Sequence, residues 1–110
     1  MSEQASSLSE GANDLASMIS VQPNAVVSRT LVNKPAGTVT LFAFDAGEGL
    51  SEHTAPYDAL VHVIEGEANI RISSQENSVH GGQVILLPAN QPHALTASTP
   101  FKMLLTMIRT

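Results

Sequence analysis

The sequence predicts an all-β fold, a small barrel built from short strands. Three observations support this. β-branched and aromatic residues dominate after residue 24, and turn-forming residues interrupt them at short regular intervals. Two histidines lie next to predicted turns, since His53 precedes a hairpin and His93 follows a Gly-x5-Pro turn. Many short strands at regular spacing are typical of a sandwich or barrel. We therefore expect both imidazoles to face the interior.

Seven segments have the composition of strands. They cover residues 25–32, 38–44, 59–64, 68–73, 84–87, 93–97 and 101–108. Runs rich in Gly, Pro, Asn and Ser separate them, including residues 33–37, 47–49, 65–67, 74–77, 81–82 and 98–100. Such residues favour turns, so each run is expected to reverse the chain.

A short helix is predicted before the first strand. Leu8, Ala12, Leu15 and Ile19 recur at steps of three or four residues, which favours an amphipathic helix over residues 6–19. Pro23 then lies in a break. We expect residues 1–24 to form an N-terminal arm that caps a barrel end or lies on a partner chain, and residues 25–110 to form the barrel.

Composition excludes several classes of function. The 110 residues suit one domain. Five Lys and Arg against ten Asp and Glu give a formal charge of −5 without a basic cluster, so nucleic-acid binding is not expected. The sequence has neither an apolar run long enough to cross a bilayer nor the pattern of a signal peptide, so we expect a cytoplasmic protein with no membrane partner. Cys is absent, which leaves histidine and carboxylate as metal ligands.

The segment over residues 59–64 is apolar on both faces apart from His62. Since successive side chains alternate between faces, Ala59, Val61 and Val63 are expected to point inward. Leu60, His62 and Ile64 then point outward and need a second subunit or the N-terminal helix to bury them. We expect a homodimer joined through this sheet.

The spacing around His53 resembles the first motif of the cupin superfamily. That motif runs Gly, five residues, His, one residue, His, three or four residues, Glu, six residues, Gly. Here Gly47 is followed after five residues by His53, and Gly66 closes the block. The second histidine position falls on Ala55 and the glutamate position on Ala59.

The spacing around His93 is similar to the second cupin motif, in which Gly and five residues lead to Pro, then one residue, Gly, two residues, His, three residues and Asn. Gly82, Pro88 and His93 match. Asn90 stands at the second glycine, where its tolerance of positive φ makes the change mild, and Ala97 stands at the asparagine. The resemblance covers residues 37–108 and implies a double-stranded β-helix (jelly-roll) barrel.

Ala55 and Ala59 stand where the first motif has a histidine and a glutamate, so the number of possible metal ligands is reduced. A mononuclear site needs three or four converging donors, and Ala55 and Ala59 supply none. His53 and His93 alone would form a two-nitrogen site for Fe, Mn, Ni or Zn, completed by water, by the bound ligand or by a carboxylate such as Glu48. The alternative is a metal-free pair that hydrogen-bonds to its own members, to water or to an anionic ligand.

The pocket is expected to include further residues. Tyr57 follows His53 and can place its hydroxyl over the pocket mouth, and Met103 belongs to a last strand whose alternate residues line the interior. Ala55 and Ala59 would leave room for a small apolar or aromatic molecule with one polar end directed at the histidines. The other polar side chains near the motifs are expected to face away, namely Glu52, Asp58, His62 and His80.

Three functions remain open, because this scaffold hosts many activities. The first is a small-molecule-binding, single-domain cupin with at most a weak two-histidine metal site. The second is a metal-dependent enzyme of the dioxygenase or isomerase type. The third is a sensor or interaction module that uses the barrel as a dimer scaffold.

Overall fold

The computed structural model describes residues 8–109, which fold into two antiparallel β-sheets. These residues contain nine strands. They are β1 Val26–Lys34, β2 Gly37–Phe44, β3 Gly49–His53, β4 Asp58–Glu65, β5 Glu67–Ile72, β6 Gln75–His80, β7 Val84–Leu87, β8 His93–Ala97 and β9 Phe101–Ile108. Among the same residues, no helix has the length and apolar character needed to cross a membrane.

The two sheets have the strand orders β1-β2-β9-β4-β7 and β3-β8-β5-β6. The chain passes repeatedly from one sheet to the other, so that β3 and β4, or β7 and β8, lie in opposite sheets although they are consecutive. This is the double-sheet arrangement of a jelly roll. The predicted all-β jelly-roll barrel is confirmed.

The main core lies between the sheets, and every buried side chain among residues 8–109 is apolar. The buried cluster includes Phe44, Val61, Ile70, Phe101 and Met103. The rings of Phe44 and Phe101 stack with centroids 4.6 Å apart at an interplanar angle of 7°. Burying side chains of this size is the main source of folding free energy.

Strand β4 has the predicted alternation. Val61 and Val63 are fully buried, while Leu60 is 39% exposed. The neighbouring strand β9 alternates in register with it, since Val63 pairs with Met103 on the inner face and His62 pairs with Leu104 on the outer face.

The N-terminal segment covers part of the outer face of the five-stranded sheet. Leu15, Met18, Ile19 and Val21 belong to a second apolar cluster, and the sheet residues of that cluster include Leu41, Ala43, Ile64 and Leu104. The Lys102 Nζ donates to the Ala16 carbonyl at 2.6 Å. The arm therefore buries the end of β4 that contains Ile64 and leaves Leu60 exposed.

The short N-terminal helix is a single 3-10 turn, Leu15–Ser17, much shorter than the predicted range of 6–19. Residues 6 and 7 lie outside the described residues. Gly11 adopts a φ of +78°, and the Asn13 side chain bonds the backbone of Ser9 and Gly11. These local side-chain bonds compete with helical backbone bonds, which explains the shortening.

Two strands lie where the sequence predicted turns or no element. Strand β3 includes Gly49, and strand β6 begins at Gln75, inside the predicted turn at residues 74–77. Both are edge strands of the four-stranded sheet. Their solvent-facing side chains are polar, and in β6 only Val79 is buried, so the alternating apolar signal of a strand is nearly absent.

The turn that leads to β8 has the conformation expected from the sequence. Asn90 adopts a φ of +67°, in the left-handed region that its short polar side chain tolerates better than most. Its N–H donates to the Ala55 carbonyl at 2.7 Å. The second motif therefore keeps its turn without the glycine.

Candidate functional site

His53 and His93 meet at one end of the barrel. His53 ends β3, His93 begins β8, and the two are direct cross-strand partners. Their Nε2 atoms are 3.2 Å apart, and the rings lie edge to face with centroids 4.4 Å apart. Two imidazoles forty positions apart in sequence thus form one site.

Each imidazole is oriented by a backbone carbonyl. The His53 Nδ1 lies 2.9 Å from the Ser51 oxygen, and the His93 Nδ1 lies 3.2 Å from the Gln91 oxygen. Carbonyl oxygens only accept hydrogen bonds, so each Nδ1 bears the hydrogen. Both Nε2 atoms of the neutral rings then present lone pairs to each other, an arrangement that needs a proton, a donor group or a cation between them.

Burial lowers the pKa of the His93 imidazole, and the charge of a protonated His53 lowers it further, while the bond to the Gln91 carbonyl raises it. The net shift is downward, because burial disfavours the charged form. The neutral form of His93 is therefore favoured, and its Nε2 can accept a hydrogen bond from an incoming ligand.

A small cavity of about 40 Å³ lies behind the histidines. Apart from the two imidazoles its lining is apolar, namely Leu50, Val61, Ile70, Leu87, Ala94, Leu95, Met103 and Leu105. A typical pocket for a drug-sized ligand measures ~300–1,000 Å³. This cavity accommodates only the end of a ligand, with the imidazoles at its mouth, where His53 is exposed and His93 half-buried.

The two imidazoles meet only part of the requirement of a metal ion. The spacing suits two ligands of one ion, since nitrogens 3.2 Å apart subtend ~100° at an ion ~2.1 Å from each. The number of donors does not suit it. Within residues 8–109 no group of three or more His, Asp or Glu side chains is placed to hold a metal. The residues present therefore do not fit a resident mononuclear ion.

The structure brings some of the predicted site residues together and separates others. His53, His93 and Met103 all line the cavity. Ala55 and Ala59 do not border it, and Ala59 is packed in the core cluster at 6% exposure. Tyr57 is 36% exposed and lies outside the lining.

The nearby polar side chains have other partners or face solvent. Glu52 pairs with Arg71 at 3.1 Å on the surface. The Asp58 carboxylate accepts from the Ala89 N–H at 2.8 Å, and His80 is exposed at the end of β6. None of these side chains lines the cavity, and neither does Glu48.

Sequence reasoning did not assign most of the apolar lining. The alternation of β4 and β9 was sufficient to find Val61 and Leu105, since both share the inward parity already given to their strands. Leu50 had no such signal, because β3 was not predicted as a strand.

Comparison with known proteins identifies the family. The chain matches the family described as "Cupin domain" over residues 40–108. It belongs to the cupin family. The match includes both histidine motifs, which lie between Gly47 and Ala97.

Two solved structures resemble this cupin over nearly its full length. A conserved protein of unknown function from Streptococcus pyogenes is 34% identical, with a TM-score of 0.89 over 94% of this chain and 90% of that one. A cupin superfamily protein from Desulfitobacterium hafniense is 31% identical, with a TM-score of 0.88 over 94% of each. A cupin 2 conserved barrel domain protein from Leptotrichia buccalis is 39% identical, but this chain spans only 46% of its length. A search of curated proteins gives no match.

Proposed function

We propose that this cupin binds a small molecule through the mouth of its barrel, with a polar end between His53 and His93 and an apolar end in the cavity. The observation that supports this is the pair of Nε2 atoms 3.2 Å apart at the opening of an otherwise apolar cavity. Because both Nδ1 atoms are already engaged by carbonyls, both Nε2 atoms remain available to a ligand.

The cavity limits the ligand. A volume of about 40 Å³ exceeds the ~10–15 Å³ that holds one water, yet it admits only a few non-hydrogen atoms, so most of an aromatic ring would lie in the open mouth beside the imidazoles. A small apolar or aromatic molecule with one hydroxyl group suits the histidine pair, since the hydroxyl can donate its hydrogen to an Nε2 atom that accepts. A carboxylate would require the pair to take up a proton.

Binding can be tested with probes of known chemistry. We expect phenol, added to the isotope-labelled full chain, to shift the methyl resonance of Met103 and the ring resonances of both histidines in a saturable manner. Benzoate should do so more strongly as the pH falls. The double variant His53→Ala/His93→Ala should lose the response, and His80→Ala, which changes an exposed histidine outside the cavity, should keep it. If neither probe shifts these signals at millimolar concentration, the proposal is wrong.

A metal-dependent enzyme is the competing function, and elemental analysis separates the two. Protein purified without added metal or chelator is expected to contain no stoichiometric Fe, Mn, Ni or Zn. If one of these ions is present at one per chain, lost in the double histidine variant and retained in His80→Ala, then exogenous ligands complete the site and the metal-free proposal is overturned.

A further inference from the structure

The turn between β7 and β8 determines where the imidazole of His93 points. It covers residues 88–92, and its Gln91 carbonyl oxygen lies 3.2 Å from the His93 Nδ1. Asn90 in this turn has a φ of +67°, a conformation less stable than extended backbone even for asparagine, so neighbouring contacts must hold it. The contacts of the turn therefore fix the orientation of the ring.

Two hydrogen bonds fasten this turn to the segment that follows His53. The Asn90 N–H donates to the Ala55 carbonyl at 2.7 Å, and the Ala89 N–H donates to the Asp58 carboxylate at 2.8 Å. The first bond joins two backbone groups, so it places little demand on the residue types. The second bond requires an acceptor side chain at position 58. The sequence therefore specifies this second bond through the carboxylate.

We propose that Asp58 is a positioning residue for the histidine pair. By fixing the turn, its carboxylate holds the Gln91 carbonyl where that carbonyl keeps the hydrogen of His93 on Nδ1 and leaves Nε2 open to a ligand. Asp58 does not line the cavity, so it acts through the turn and not by contact with a molecule in the cavity. The consequence for ligands rests on the proposed function, whereas the consequence for the ring does not.

The hydrogen bond of Asp58, and not its charge, is expected to produce the effect. Asp58 is exposed, so solvent and salt screen its charge. Burial, the Gln91 carbonyl and the nearby His53 shift the pKa of His93, and the carbonyl is the one of these that the turn positions. Asparagine also has a carbonyl oxygen that accepts. Asp58→Asn should therefore preserve the ring position, and Asp58→Ala should not.

Asp45 provides a matched control. Its carboxylate accepts from the Asn24 N–H at 2.7 Å, and Asn24, like Asn90, has a positive φ, here +57°. Asp45 precedes the start of β3 whereas His53 ends it, and a strand of five residues spans roughly 15 Å. Asp45→Ala thus removes the same kind of bond from another turn and should leave both imidazoles in place.

The proposal is tested on the isotope-labelled full chain, without a ligand, through the nitrogen resonances of the histidine rings. Above pH 6.5, the Nδ1 of His93 in wild type should have the chemical shift of a protonated nitrogen and the Nε2 that of an unprotonated one. In Asp58→Ala these two shifts should move toward each other, because the ring then exchanges between tautomers. Asp58→Asn and Asp45→Ala should retain the wild-type shifts.

Circular dichroism checks that each variant is folded, and hydrogen exchange of the Ala89 amide in wild type needs no variant at all. This amide should exchange slowly, and exchange at the rate of an unstructured peptide would contradict the proposal. Unchanged His93 nitrogens in folded Asp58→Ala would refute it as well. So would equal changes in Asp58→Asn, which would assign the effect to charge, or in Asp45→Ala, which would assign it to a general loss of stability.

Ligand binding separates this role from the proposed function. The dissociation constant of phenol should rise roughly threefold to tenfold in Asp58→Ala, the effect of about one hydrogen bond, and should stay near the wild-type value in Asp58→Asn. If wild type gives no response to phenol while the ring nitrogens behave as expected, the proposed function fails and the positioning of His93 by Asp58 stands. Equal phenol binding by wild type and Asp58→Ala would refute the consequence for ligands.

Discussion

Gly47 and Gly66 form a matched pair for testing how the first motif stabilises the barrel. Both have a φ of +84°, a conformation that costs a residue with a side chain ~1–2 kcal/mol. A Cβ at Gly47 would meet nothing within 4 Å, whereas a Cβ at Gly66 would meet the Pro100 carbonyl oxygen and, at 2.5 Å, the Cβ of Phe101. Phe101 is fully buried, so it cannot move aside without disturbing the core.

The magnitudes follow from these contacts. Gly47→Ala is expected to lower the free energy of unfolding by ~1 kcal/mol, since the backbone penalty of ~1–2 kcal/mol is partly offset by ~0.4–1 kcal/mol from a less flexible unfolded chain. Gly66→Ala has the same two contributions plus overpacking against the core, which typically costs ~1–3 kcal/mol. The total for Gly66→Ala is ~2–4 kcal/mol, and a gap of ~2 kcal/mol corresponds to roughly 10 °C in Tm.

The assay is urea unfolding followed by far-ultraviolet circular dichroism, because the chain has no Trp and a single Tyr. Both variants should show the wild-type dependence on urea concentration, so that the midpoints compare directly. Equal losses of stability in the two variants would refute the steric argument and leave backbone conformation as the whole role of Gly66.

Three further predictions concern the site and the outer sheet face. Burial, followed by the nearby His53, lowers the pKa of His93 from its ordinary 6.5. Between these two pKa values the unfolded chain binds a proton more readily than the folded chain does. The contribution of neutral His93 to the free energy of unfolding is therefore fully present above pH 6.5 and should be lost as the pH drops toward the folded-state pKa. His93→Gln should flatten this pH dependence in urea titrations. Met103→Ala should cost ~2–5 kcal/mol and enlarge the cavity, which xenon-induced shifts of methyl resonances would detect. Ile64→Lys, under the N-terminal arm, should cost more than ~2 kcal/mol, whereas Leu60→Lys should change the stability of the monomer by less than ~0.5 kcal/mol; similar losses would contradict the arm's placement.

Motif spacing was sufficient to predict the barrel and the meeting of the two histidines. Gly47, Gly66 and Gly82 all have positive φ, and this requirement is visible in sequence because glycine is the residue that meets it without strain. Which nitrogen of each imidazole faces the other ring was not predictable. It depends on backbone carbonyls at residues 51 and 91, and every residue type supplies a carbonyl.

Strands β3 and β6 and the conformation of the N-terminal arm escaped prediction for a related reason. A strand is recognised by its apolar alternation, and β6 buries only Val79. The arm has the apolar spacing of a helix, but its contacts are made mainly by residues 15–21, and these need only one 3-10 turn to reach the sheet. Periodicity reports which side chains are buried and does not distinguish a helix from an irregular segment with similar spacing.

This cupin forms the barrel with alanines at two ligand positions of the first motif, Ala55 and Ala59. Restoring the histidine and the glutamate tests whether the barrel can then bind a metal. Ala59 is 6% exposed in the core cluster, so the glutamate of Ala55→His/Ala59→Glu would be desolvated and should cost several kcal/mol without a metal. If the two added donors reach the histidine pair, Zn²⁺ at a hundred times its Kd should return ~2.7 kcal/mol. The same Zn²⁺ should return much less to wild type, which has two donors. A restored variant that gains no more than wild type, measured by urea unfolding with and without Zn²⁺, would show that these positions do not converge on His53 and His93, and the barrel would then be unable to form the family's metal site through these two substitutions alone.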